Sequence, residues 1–189
     1  NMKIRNDALE LMHKWVESES LRRHMLCVEA AMRAYAKKFG EDEELWGICG
    51  LIHDFDYEKF PAYDADAKTG HPYEGVKELK KEGYPDEIIE AILGHAVYSG
   101  VERKSNMAKC LFACDELCGF LVACGYMRAD KWETLTSESV LKKLKDKRFA
   151  AKINREEIDL GVSESGIDKK EHIDFVVSTL KPIQTQIYD

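Results

Sequence analysis

Apolar residues in this chain return every third or fourth position, and no stretch alternates convincingly with a period of two. The first pattern gives a 3.6-residue helix one buried stripe; a half-buried strand needs the second. The spacing therefore predicts an all-α fold, with helices near residues 6–18, 20–38, 42–55, 71–82, 85–98, 106–124, 137–144 and 169–181. Ser20 is placed to cap the second helix, and Glu41 and Asp42 suit the positive end of the third. Pro72 and Pro85 fit first helical turns, Pro85 with Asp86 and Glu87 just after it. Gly40, Gly83 and Gly100 stand where helices should stop. The longest irregular stretch of the front part, DYEKFPAYDADAKTG at 56–70, is expected to act as a lid or binding loop.

A length of 189 residues with 44% hydrophobic side chains suits one packed domain. The expectation is a single domain over 1–189, with its core at about 20–125 and a helical extension over 126–189. The net charge of −7 argues against a protein whose main task is to hold a nucleic-acid backbone. Locally, LKKLKDKRFAAKINR (141–155) carries seven basic residues and one acidic. It reads as a solvated helix face, with a phosphate- or RNA-facing patch as the alternative. No run has the length of a membrane span, and the start lacks the apolar core of a signal peptide. Asn1 before Met2 looks like an expression scar. The six cysteines form no C-x-x-C pair, and Cys110, Cys114 and Cys118 share a helix face as small core fillers. The expectation is a cytoplasmic protein with reduced thiols.

Polar residues interrupt the apolar stripes at particular places. Leu21, His24, Val28, Ala31 and Tyr35 share one face. In the next helix Leu45, Cys49, Ile52 and His53 lie together, while Asp54 continues the line of Gly47, Gly50 and Leu51. Two glycines on that line let a neighbouring helix come close. Ile88, Ile92 and His95 share a face, as do Leu111, Asp115, Cys118 and Val122, and His71 opens the helix HPYEGVKEL. A single buried histidine is more often a satisfied core residue than a ligand. A carboxylate inside an apolar stripe is costlier and needs a counter-charge. An arginine or lysine would serve, but the nearby apolar faces offer histidines. Imidazoles together with carboxylates suit a transition metal.

The ordered set His24, His53-Asp54, His71, His95, Asp115 resembles the HD superfamily of metal-dependent phosphohydrolases. LIHDFDYEKF, GHPYEGVKELKKEGYP and ACDELCGFLVA look like its small stand-alone bacterial members of the HDIG type, over about residues 20–125. The resemblance implies an all-α helical bundle with a central metal site. Position by position, it implies that His24, His53, Asp54 and Asp115 bind one metal. In dinuclear members the position of Asp54 bridges to a second metal, held also by those of His71 and His95. The implied cofactors are one or two divalent transition-metal ions, from Mn, Fe, Co, Ni and Zn. Two departures speak against cleavage of cyclic di-GMP. Ala96 stands where that branch has a second histidine, and Asp56 and Tyr57 stand where it has glycine and lysine beyond the HD pair.

The implied activity is hydrolysis of a nucleotide or other small phosphate ester by a metal-activated water. In it Asp54 orients the water or bridges the ions, and His71 and His95 act as ligands, phosphate-binding groups or general acid. Among cations near these positions, Arg23 and Lys109 are the candidates for holding the rest of the substrate. Arg22, Arg103, Lys104, Arg128 and Lys131 read as surface charges. Tyr57, Glu58 and Tyr63 read as part of a plain surface loop, with a role in shaping the entrance as the alternative. Two rival readings keep the same ligands: a di-iron oxygenase, and a metal-stabilised sensor module without turnover. A small phosphorylated substrate is the expected partner, with no membrane, and the charge argues against nucleic acid.

Overall fold

The computed structural model describes residues 2–189, and these contain helices and turns but no strand. The contacts of the chain group it into two units, one ending at Leu111 and one spanning Phe112–Asp189. No helix among the described residues is long and apolar enough to cross a membrane.

The first unit contains α1 (Arg5–Trp15), α2 (Glu19–Phe39), α3 (Glu43–Ile52), α4 (Tyr73–Lys81) and α5 (Asp86–His95). It also holds the first turns of α6 (Asn106–Tyr126), where the Ser105 hydroxyl accepts the Ala108 N–H at 3.0 Å. The capping residue of α2 is Ser18, not Ser20: its hydroxyl accepts the Leu21 N–H at 3.2 Å, so the helix starts a residue earlier than expected. Asp42 caps α3 through the Leu45 N–H at 3.0 Å. Gly40 ends α2 at φ +69°, a conformation that a side chain would strain. Pro72 and Pro85 stand just before the first helical residues of α4 and α5.

Helices α2 and α3 pack closely along the glycine line. A Cβ added at Gly50 would lie 2.9 Å from the Glu29 Cα, so the two backbones meet there without a side chain between them. One at Gly47 would strike the Arg33 guanidinium, its Nε at 2.3 Å. That guanidinium has a purpose, because Glu29 is buried between α2 and its neighbours. Glu29 is neutralised by Arg5 at 2.6 Å and Arg33 at 3.0 Å, and Arg33 also reaches Glu44 at 3.0 Å. An unpaired carboxylate there would cost several kcal/mol, roughly what breaking a buried pair costs.

Segment 56–70 is strapped down rather than loose. The Glu58 carboxylate accepts the N–H groups of Glu17 and Ser18 at 2.9 and 2.8 Å, joining it to the turn between α1 and α2. Lys59 sits 4.4 Å over the Trp15 ring. Asp64 and Thr69 exchange backbone hydrogen bonds, and the His71 N–H returns to the Phe60 carbonyl at 2.8 Å.

The second unit comprises the rest of α6, α7 (Ser137–Leu144), α8 (Arg155–Ser165), α9 (Lys169–Leu180) and the short α10 (Gln184–Tyr188). Trp132, fully buried, donates its Nε1–H to the Leu121 carbonyl at 2.8 Å. Helices α8 and α10 are absent from the sequence expectation. In α8 only Ile158 and Gly161 are buried, so no apolar stripe betrays it. Gly161 is there because a Cβ would lie 2.8 Å from the Ala113 Cα. The basic run 141–155 is not a continuous solvated helix: α7 ends at Leu144, and turns follow. Arg155 donates to the carbonyls of Leu144, Asp146, Phe149, Ala150 and Ile153, and so organises those turns. All six cysteines are buried thiols.

Candidate metal centre

Asp54 lies just past the His53 C-cap of α3, where buried Leu51 and Ile52 of the last turn and Phe55 beyond it anchor the chain. That anchorage holds the His53–Asp54 pair at a fixed angle. His24 comes from α2, His95 is the last residue of α5, and His71 closes the strapped segment just before α4. These residues surround the Asp54 carboxylate from two sides. Its Oδ2 faces Nε2 of His53 at 3.2 Å and Nε2 of His24 at 3.6 Å. Its Oδ1 faces Nε2 of His95 at 3.0 Å and Nε2 of His71 at 3.2 Å. His53, His71 and His95 are buried, while His24 and Asp54 are half-buried.

The other ring nitrogen fixes what each Nε2 can offer. His53 Nδ1 lies 2.7 Å from the Gly50 carbonyl, and His95 Nδ1 contacts that of Ile92. Carbonyls only accept, so both Nδ1 atoms carry hydrogens, and in the neutral rings both Nε2 atoms present lone pairs. His71 Nδ1 lies 2.6 Å from Asp56 Oδ1, and Asp56 Oδ2 accepts the Gly75 N–H at 2.8 Å. Neutral rings oriented this way set imidazole lone pairs against carboxylate lone pairs. Protonating every ring would instead crowd several positive charges around one carboxylate in a largely buried site. A cation between imidazole and carboxylate relieves both problems.

The donor set therefore fits a metal. Ligand atoms of His24, His53 and Asp54 lie within 4.8 Å of one another, as do those of Asp54, His71 and His95. Asp54 is common to the two groups. Imidazole nitrogens with carboxylate oxygens suit divalent transition metals, and each Nδ1 partner orients its ring as expected around a metal. Burial by itself would raise the Asp54 carboxyl; with the rings protonated, the charge and hydrogen bonds of His53, His95 and His71 outweigh it and hold the group well below the usual carboxylate range.

Residues 21–119 match the HD domain family. The chain belongs to the HD-domain family. Its superfamily is one of metal-dependent phosphohydrolases, and HD domains bind divalent metals. No curated protein and no solved structure matches the chain. The matched span includes Asp115, which lies half-buried on α6, one helical turn beyond Leu111.

In the sequence Asp56 figures only as a departure from the cyclic-di-GMP branch and not as a site residue. Its signal was present: a second acid two positions after the HD pair, within the same apolar run. The carboxylate is buried and spent on His71 and the start of α4. Tyr98 was likewise missed; its hydroxyl donates to the His71 carbonyl. Arg22 is used structurally, donating to the carbonyls of Val16 and His13 at 2.7 and 3.2 Å. Arg128 donates to the Lys131 carbonyl and Thr134, and Arg103 to the Gly94 carbonyl. Arg23, beside His24 on α2, and Lys109, in the first turn of α6, are half-buried.

Proposed function

We propose that this HD domain hydrolyses a phosphate ester, a nucleotide or another small phosphorylated metabolite, at the cluster around Asp54. What supports the reading is the division of one carboxylate between two imidazole pairs, with Oδ2 toward His24 and His53 and Oδ1 toward His71 and His95. A carboxylate so shared suits a bridge between two cations. In the proposed ligand set, carried by the family resemblance, Asp115 joins His24, His53 and Asp54 at the first ion, and His71 and His95 join Asp54 at the second.

Bound there, divalent ions would make hydroxide available near neutral pH and offset the charge of the phosphoryl oxygens. Asp54 would bridge two such ions or, with one bound, orient the attacking water. With one ion bound, His71 and His95 bind the phosphate or protonate the leaving group. Asp56, through His71 Nδ1, keeps that imidazole turned toward the site. Arg23 and Lys109 are proposed to hold the remainder of the substrate.

The test is elemental analysis of protein purified without chelators, followed by a panel of phosphate esters with several divalent metals. Metal-dependent phosphate release that disappears in Asp54→Ala, with the helical signal retained, supports hydrolysis. The same four histidines and two aspartates also serve in di-iron oxygenases built on HD domains. Oxygen consumption with iron and no phosphate release with any metal would replace hydrolysis by oxygenation. A filled site with neither activity would leave a metal-stabilised sensor.

A further inference from the structure

His71 and His95, the two imidazoles that face Oδ1 of Asp54, are held in different ways. His95 closes α5, and its Nδ1 leans on the Ile92 carbonyl of the same helix, as that of His53 leans on Gly50 in α3. Each of those rings is oriented by the helix it ends. His71 precedes α4 and has no helical turn of its own behind it. Its place is set from elsewhere: its N–H donates to the Phe60 carbonyl at 2.8 Å, its Nδ1 meets Asp56 Oδ1 at 2.6 Å, and its carbonyl accepts the Tyr98 hydroxyl.

The last of these contacts reaches across to the other imidazole. Tyr98 lies just beyond His95, in the single turn of 3-10 helix Val97–Ser99 that follows α5. That turn is folded back on the helix end. The Ser99 N–H donates to the Ala96 carbonyl at 2.9 Å, and the Ser99 hydroxyl donates to the Leu93 carbonyl at 2.6 Å. The Tyr98 hydroxyl thus joins the end of α5, where His95 stands, to the backbone of His71. Its ring holds the same strapped segment at a second point, stacked on Tyr63 with centroids 3.5 Å apart and planes 2° from parallel. The imidazoles on the two sides of this tie have ring centroids 5.2 Å apart.

We propose that Tyr98 is a positioning residue for the ion held by Asp54, His71 and His95, and for that ion alone. A cation there draws on imidazoles from two separate segments, so its affinity depends on how closely their Nε2 atoms are held before it arrives. Without the hydroxyl the His71 carbonyl is released, and the segment can shift against α5. The other group, His24, His53 and Asp54, is carried by α2 and the end of α3. Among the described residues Tyr98 makes no hydrogen bond or ring contact with that group. The proposal rests on the two-ion part of the hydrolase reading and needs no turnover.

The experiment titrates metal-free wild type, Tyr98→Phe, Tyr98→Ala and His71→Ala with manganese(II), reading the unbound ion from its sharp EPR signal. Wild type should take up two ions, and His71→Ala identifies the one that depends on His71 by losing it. Tyr98→Phe keeps the ring and removes only the hydroxyl. It should raise the Kd of that same ion about fivefold, the usual weight of one neutral hydrogen bond, and leave the other unchanged. Tyr98→Ala should raise it further and again spare the other ion, whose retention shows that the fold is intact. A single ion in wild type, both ions weakened alike, neither weakened, or a loss in Tyr98→Ala that Tyr98→Phe does not share would each overturn the proposal. Phosphate release is assayed separately. Two ions with a selective Tyr98→Phe effect and no ester hydrolysed would sink the hydrolase reading and sustain the positioning role.

Discussion

His71 Nδ1 lies 2.6 Å from Oδ1 of Asp56, and the other oxygen of that buried carboxylate takes the Gly75 N–H at 2.8 Å. One side chain thereby sets the rotation of an imidazole at the candidate metal centre and ties it to the start of α4. Asp56→Ala removes the partner that turns His71 Nε2 toward Asp54. Metal affinity should fall about 10- to 100-fold, as for lost partners behind ligating histidines. A competition titration against a chromophoric chelator measures this, and unchanged affinity would refute the orienting role.

His53→Ala and Asp115→Ala should each lower metal content and phosphate release together. Metal binding is linked to folding, so the gap in Tm between metal-loaded and chelated protein should also narrow in both variants. Elemental analysis with thermal melts checks this. Full occupancy in either variant would mean that its residue is no ligand.

At Gly50 the α2 backbone leaves no room for a side chain. Gly50→Ala sets its methyl 2.9 Å from the Glu29 Cα and forces α2 and α3 apart. The expected loss is about 1–3 kcal/mol, the usual range for overpacking, read from urea denaturation. It should fall at the upper end of that range, because the neighbour is backbone and cannot rotate away.

His172, buried in the second unit, donates from Nε2 to the Ala113 carbonyl at 2.8 Å. Burial pushes its pKa below the ordinary histidine value, outweighing the hydrogen bond, which works in the opposite direction. The unfolded chain therefore binds a proton that the native chain refuses, in the window between the lowered native pKa and the ordinary value near 6.5. Stability should drop as pH falls through that window and level off below the native value. His172→Gln should flatten this slope in urea midpoints measured between about pH 5 and 7.5. An unchanged slope would show that His172 does not carry the titration.

Much of the fold could be read from local pattern. The helices around Val28, Ile52, Ile92 and Leu111 announce themselves because each buries a stripe that recurs every three or four residues. Helix α8 does not, since its packing depends on Gly161 meeting the Ala113 backbone rather than on an apolar face. The HD pair, with its glycine line, was equally legible, because a carboxylate at the end of a buried helix demands a counter-charge. Asp56 was harder to see: nothing local distinguishes an acid that serves an imidazole fifteen residues away from one that faces water.

The sequence by itself determined the all-α class, the faces that turn inward and the identities of the chemically unusual residues on them, since helical periodicity and the cost of burying charge act along the chain. Only the tertiary structure decided that Oδ1 and Oδ2 of Asp54 face different imidazole pairs, that His71 is oriented by Asp56, and that Tyr63 stacks on Tyr98. Those relations depend on where separate helices and one strapped segment meet, and spacing along the chain carries no record of such distances.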